Sequence, residues 1–219
     1  MPAPASRPLR RDAQRNRERI LEAAREVFAT RGFAATLDDV AHQAGVGVGT
    51  VYRRFPTKES LVEAIFTDRI AGVVAVAEQC RAEPVAWDGL IRFMTFACRT
   101  HAEDRGLRDV MLSLGMKKRF PESGDRLEVV ITELVARAKA EGTLRDDFDA
   151  TDVPIIFTMV SDVAGLPQAS SERYLRLVID GLRAGPRNAP LGPPLTRDEV
   201  IAVLHGCVPA VKPRSATAP

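Results

Sequence analysis

The chain has 219 residues, room for one large domain or for a small one joined to a larger one. Hydrophobic residues are 45% and charged residues 27%, a balance that excludes collagen-like, disulfide-scaffold and highly charged disordered chains. Net charge is only +2, but residues 1–60 hold 11 Lys/Arg against 7 Asp/Glu while the remainder holds 20 against 22, which places the positive surplus N-terminally.

No apolar run approaches the ~20 residues of a membrane span. The N-terminus lacks the apolar core of a secretory signal, so the expected location is the cytoplasm and no membrane partner is expected. Aromatics are 5%, and long runs of Ala, Leu, Arg and Glu favour helix over sheet. No strand pattern, internal repeat or heptad seam is visible. The expected fold class is therefore all-α.

Residues 1–10 are rich in Pro and Ala and read as a disordered arm. Arg7, Arg10, Arg11, Arg15 and Arg17 make it basic, which suits either phosphate or minor-groove contact or a solvated tail. A first helix is expected over 11–31, with Ile20, Leu21, Ala24, Val27 and Phe28 as its apolar stripe and Gly32 as its stop. Leu37, Val40, Ala41 and Ala44 then mark a short helix that Thr36 caps and Gly45 ends. A second short helix runs from about Gly47 to Phe55, with Val51 and Phe55 inward. It carries Thr50, Tyr52, Arg53 and Arg54 on more exposed arcs. Thr57 caps a longer helix to about Arg81.

Downstream, helices are expected over 85–103, 107–114, 125–140, 153–166 and 171–184, with a loop over 115–124 and a polar loop containing Asp146 and Asp147 that faces water. Gly185, Pro186, Pro190, Pro193 and Pro194 mark a linker. A short helix from Thr196 to about His205 and a disordered tail complete 186–219.

Two short helices joined at a glycine, with hydroxyl, phenol and guanidinium groups on the second, suit entry into a DNA major groove. The series Ala41, Ala44, Gly45, Val46, Gly49, Thr50, Tyr52, Phe55, Lys58, Glu59, Leu61 resembles the N-terminal domain of TetR-family transcriptional repressors. The likeness reaches back through Ile20, Ala24, Phe28, Gly32 and Phe33 and covers about residues 13–66. Beyond it, only size and helical rhythm are similar. The resemblance implies a helix-turn-helix DNA-binding domain over 11–56 and a helical ligand-binding and dimerisation domain over 57–185, with 57–81 connecting them.

It also implies DNA contacts for Thr36, Leu37, Val48, Gly49, Thr50, Tyr52, Arg53, Arg54 and Lys58. Thr36, Tyr52 and Lys58 suit phosphates, and Thr50 suits a thymine methyl or a backbone oxygen. Arg53 and Arg54 suit guanine edges or phosphates, with one of the two free to serve only as solvated surface. Many relatives carry polar residues where this chain has Gly47 and Val48, so more readout is expected from Thr50, Arg53, Arg54 and the arm.

Gly45 to Gly49 does not read as a nucleotide-phosphate loop, because a helix precedes it and no lysine follows in place. Cys80, Cys98 and Cys207 have no metal or disulfide spacing, and no metal or cofactor is expected. Three scattered histidines carry no triad logic, so no catalytic residue and no enzyme activity are expected.

The larger domain should bind rather than catalyse. Trp87, Phe93, Met94, Phe96, His101, Met111, Phe120 and Phe157 are candidates to line an effector pocket, each with plain core as the alternative. In the resemblance, the last two long helices form a homodimer interface. On this chain that implies Ile156, Val160, Val163, Ala164, Tyr174, Leu175, Val178 and Leu182. The expected function is a ligand-responsive regulator, a repressor that binds a palindromic operator as a dimer and is released by a small-molecule effector. The alternative is a ligand-independent dimeric DNA-binding or architectural protein.

Overall fold

The structure, a computed structural model, describes residues 7–112, 119–161 and 168–207. It is all-α: among the described residues the only β-type pairing is an isolated bridge between Leu144 and Arg183. Helix α1 spans Arg7–Arg31 and buries Ile20, Leu21, Ala24, Val27 and Phe28 as its periodicity requires. It begins earlier than expected, so residues 7–10 are helical rather than part of an irregular arm. A 3-10 turn, Gly32–Ala34, follows. Gly32 sits at φ +54, and a Cβ there would lie 2.1 Å from Asp109 Oδ2, so glycine is required twice over.

Helix α2, Leu37–Ala44, opens with a reciprocal cap. Thr36 Oγ1 accepts from the Asp39 amide at 3.1 Å, and Asp39 Oδ2 accepts from the Thr36 amide at 2.9 Å. These bonds, with Arg31, hold the Asp39 carboxyl below its usual range. Gly45 ends α2 at φ +62, and Arg19 Nη2 donates to Ala44 O at 2.6 Å, tying α1 to the turn. Gly45→Ala forces a side chain into the left-handed region and is expected to cost about 1 kcal/mol, read as a lower urea midpoint at constant slope.

Helix α3, Val48–Arg54, follows, with Val51 and Phe55 buried beneath it. Helix α4, Lys58–Arg81, starts with a second reciprocal cap between Thr57 and Ser60. Helix α5, Ala86–Glu103, crosses α4 so closely that a Cβ on Gly89 would meet Cys80 O at 2.3 Å. Helix α6, Arg105–Leu112, packs on α1 and on the 3-10 turn. Asp104 caps α6, accepting from the Leu107 amide at 2.8 Å, and also pairs with Arg69 of α4. One buried apolar cluster runs from α1 through α4 and α6 into the remaining helices.

Helix α7 spans Pro121–Ala140. It begins four residues before its expected start, because Pro121 at the first turn has its φ preset and no amide to satisfy. Helices α8, Asp152–Ser161, and α9, Gln168–Leu182, pack on α5 and on each other. The loop after α7 is tied to the end of α9 by Arg145 N to Leu182 O and Ala184 N to Thr143 O, both 3.0 Å.

Asp147 keeps part of its side chain in water but is firmly paired. Its carboxylate takes Arg145 at 2.6 and 2.9 Å and the Leu191 amide at 2.9 Å, and these partners pull its pKa far down. Arg145 also donates to Ala189 O at 2.5 Å, so the proline-rich segment lies against the helical body. The last described helix, α10, Arg197–Cys207, packs on α8. No described helix is long and apolar enough to cross a membrane.

Candidate nucleic-acid interface and effector cavity

The two short helices present an open face. Val48, Gly49, Arg53 and Arg54 are exposed, while Thr50 and Tyr52 are half-buried at its edge. A Cβ on Gly49 would meet nothing within 4 Å, so the backbone of α3 is accessible at its second residue. The shape comes from below: Val51, Phe55, Val40 and Ala44 are buried and hold α3 across α2 at a fixed angle.

Three expected contact residues are placed differently. Leu37 is 5% exposed and belongs to the core, so only its backbone, at the helix N-terminus, faces outward. The Thr36 hydroxyl donates to Asp39 Oδ2 at 2.7 Å and accepts from the Asp39 amide, so capping already uses its proton. Lys58 turns inward. Its Nζ donates to Phe33 O at 2.5 Å and lies 5.6 and 5.7 Å from the centres of the Phe28 and Phe33 rings. Desolvation lowers its pKa, the mark of an ammonium withdrawn from water. Lys58 is thus a strut between α4 and the turn after α1. Spacing alone could not reveal this, because a lysine stem reaches either way from a helix N-terminus. Residues 1–6 of the expected arm lie outside the described residues.

In the larger body, the helices form a half-open cavity of about 450 Å³. Phe93, His101, Met111 and Phe157 are in its lining. The other four candidates are not. Trp87 is buried beneath Arg183, whose guanidinium carbon stands 4.6 Å from the ring centre. Met94 is fully buried core, Phe96 is half-buried outside the lining, and Phe120 closes the start of α7. Each apolar residue had core as its alternative reading, and helix periodicity does not separate cavity wall from core.

The lining also includes residues the sequence reading left out. Leu127 and Ile131 come from α7, and Val200, Ile201 and Leu204 come from α10. The segment after Gly185 therefore supplies one wall. The signal was present in the i, i+1, i+4 spacing of those three apolar residues. At the rim, Arg197 pairs with Glu128 at 2.7 Å.

His101 is 3% exposed and packs edge-on against Phe157, ring centres 5.4 Å apart. Burial, with a smaller contribution from Arg108, pushes its pKa down to about 3, so the ring is neutral. No cluster of metal-binding side chains occurs among the described residues.

On the outer face of α8 and α9, Met159, Tyr174 and Leu177 are 63%, 44% and 56% exposed. Of the expected interface residues, Tyr174 shares this face and Val178 is half-buried. Ile156, Val160, Leu175 and Leu182 instead point into the protomer core, where α8 and α9 meet α5 and the β-bridge. Val163 and Ala164 lie outside the described residues.

The N-terminal helices, residues 20–65, match the family described as bacterial regulatory proteins, tetR family. Residues 86–184 match the C-terminal domain of SbtR-like transcriptional regulators. The regulator UidR of Escherichia coli K12 is 40% identical over 191 residues, covering 78% of this chain and 94% of its own. The chain belongs to the TetR family of transcriptional regulators. The transcriptional repressor KstR2 of Rhodococcus jostii is 28% identical over 196 residues, covering 78% and 93%. The FadR regulator of Bacillus subtilis, solved in complex with stearoyl-CoA, shares the fold at a TM-score of 0.53 with 20% identity, covering 75% and 98%.

The matched N-terminal segment holds the two short helices, and the matched C-terminal domain lies within the larger helical body.

Proposed function

We propose that this TetR-family regulator is a repressor that binds a palindromic operator as a homodimer and releases it when a small molecule fills the cavity. The observation that carries the reading is the route from cavity to recognition helix. Val73 of α4 and Met111 and Leu112 of α6 line the cavity. The first turn of α4 holds the turn after α1 through Lys58, and α6 holds it through Asp109, whose Oδ2 accepts from the Phe33 amide at 2.7 Å. A ligand that favours one spacing of these helices shifts the population of DNA-competent dimers. That FadR was solved with a bound acyl-CoA supports a ligand role for the same body.

Dimerisation follows from reach: one seven-residue recognition helix reads few base pairs, and two copies spaced by a helical turn read a palindrome. The exposed Met159, Tyr174 and Leu177 are the surface that supports it. Leu177→Glu is expected to convert the dimer to a monomer in sedimentation measurements, with helicity unchanged. A dimer that persists would move the interface elsewhere.

The test of the reading is selection of bound sequences from random duplex DNA, repeated with Arg53→Ala plus Arg54→Ala. A palindromic motif that vanishes in the double variant supports it. Binding that only tracks salt would overturn sequence-specific repression. Gly49→Ala separates fold from recognition. Alanine on an exposed helix is expected to add about 0.5–1 kcal/mol of stability. Where a base or phosphate approaches the bare backbone, it should lower operator affinity by roughly tenfold. Unchanged affinity would place the DNA away from Gly49.

A further inference from the structure

The cavity is apolar over most of its wall, and the polar groups it contains are not arranged to hold a charge. Val73, Phe93, Met111, Leu127, Phe157 and Leu204 supply the apolar surface. The one cation among the described lining residues, Arg197, is paired with Glu128. The other carboxylate, Asp149, accepts from the Thr151 amide and hydroxyl, both at 2.9 Å. Among the described lining residues, a carboxylate or phosphate would find no unpaired cation and would meet two acidic groups, Glu128 and Asp149. A buried charge without a partner costs far more than a neutral polar group.

His101 is the exception in this wall. It is 3% exposed, and its Nδ1 is fully buried without a hydrogen-bond partner. That atom is enclosed and is not the one a guest reaches; what marks the site is a polar ring, kept at the cost of one unpaired nitrogen, among the apolar residues of a ligand-sized cavity. The edge-on Phe157 ring fixes the orientation of the imidazole. With Nδ1 enclosed, the other ring nitrogen is the atom left to meet a guest.

We propose that the cavity takes an uncharged, largely apolar molecule bearing one oxygen function, a ketone, ester or alcohol, and that His101 is the hydrogen-bonding residue that orients it. This rests on the cavity being the effector site and adds the ligand's chemical class and its anchor. A volume of about 450 Å³ lies within the usual range for small-molecule sites and suits a mid-length chain or a compact ring system.

The test uses the full chain without DNA. Diphenylhexatriene, an uncharged hydrocarbon dye with no hydrogen-bonding group, is bound and then displaced by three guests of matched length: undecan-2-one, decanoate and decylammonium. The ketone is expected to displace the dye at concentrations at least tenfold lower than either ion. His101→Phe should weaken the ketone by about tenfold, the scale of one hydrogen bond, measured against that variant's own affinity for the dye. His101→Gln, which keeps a donor and an acceptor, should restore part of the loss, and comparison of the two variants separates anchoring from misfolding. Decanoate or decylammonium binding as tightly as the ketone overturns the neutral-ligand class. Equal ketone affinity in wild type and His101→Phe overturns the anchor. Failure of the dye to bind overturns the cavity as a ligand site, and the release mechanism falls with it. A ketone that binds through His101 yet leaves operator affinity unchanged overturns only the release mechanism.

Discussion

Gly106→Ala is expected to lower the free energy of unfolding by about 2 kcal/mol and to weaken operator binding at the same time. A Cβ at this position would lie 2.8 Å from Phe28 O, 2.9 Å from Phe28 C and 2.8 Å from Phe66 Cζ. Two of these atoms are α1 backbone and cannot swing aside, so α6 must lift. Lifting α6 draws Asp109 away from the Phe33 amide, and a buried amide without a partner costs about 1–3 kcal/mol. Burial already pushes the Asp109 carboxyl pKa up, and that amide bond is the largest influence opposing the rise. The turn after α1 would lose its bond to Asp109 and keep Lys58 and the Arg119 guanidinium over the Phe33 ring. Urea denaturation reads the stability and fluorescence anisotropy with operator DNA reads the binding. Gly72→Ala is the companion variant. A Cβ at Gly72 meets nothing within 4 Å, so alanine in α4 should stabilise by about 0.5–1 kcal/mol. If Gly106→Ala also stabilised, α6 would not be locked to the DNA-binding helices, and coupling would have to run through α4 alone.

Truncation after Leu195 is expected to weaken ligand binding in the cavity at least tenfold while sparing DNA binding. Val200 and Leu204 are 6% and 8% exposed, and with Ile201 they form the α10 wall. Removing two buried aliphatic side chains should cost about 3 kcal/mol of stability. A cavity guest would lose the same apolar surface and bind at least tenfold more weakly. The cut spares Arg145 and its bonds to Asp147 and Ala189, so the preceding segment should stay in place. Dye titration and operator anisotropy on the truncated chain separate the two effects. Retained dye affinity would make α10 a bystander to the cavity. Lost operator affinity would give it a role in the dimer or the DNA-binding unit.

The helix-turn-helix was legible residue by residue because its determinants are local. Thr36 caps through a residue three positions on, Thr57 does the same, and Gly45 ends α2 by its own backbone freedom. The all-α class and most helix spans were legible for the same reason. Capping and periodicity act over a few residues, so a linear sequence displays them directly.

Tertiary structure decided what each apolar face meets. A helical stripe announces burial without naming its partner. Phe93 therefore reached the cavity while Met94 entered solid core, and Leu175 turned inward while Tyr174 and Leu177 stayed outside. Lys58 was drawn to a carbonyl 25 residues away, and Gly32 was constrained by a carboxylate 77 residues away. Such pairings depend on how α1, α4 and α6 dock in space, and no pattern within a window of sequence encodes them. The sequence by itself determined the elements and the recognition motif. The docking of those elements decided the cavity, its orphan histidine and the apolar side chains left exposed on α8 and α9, because long-range packing assigns each side chain its neighbours.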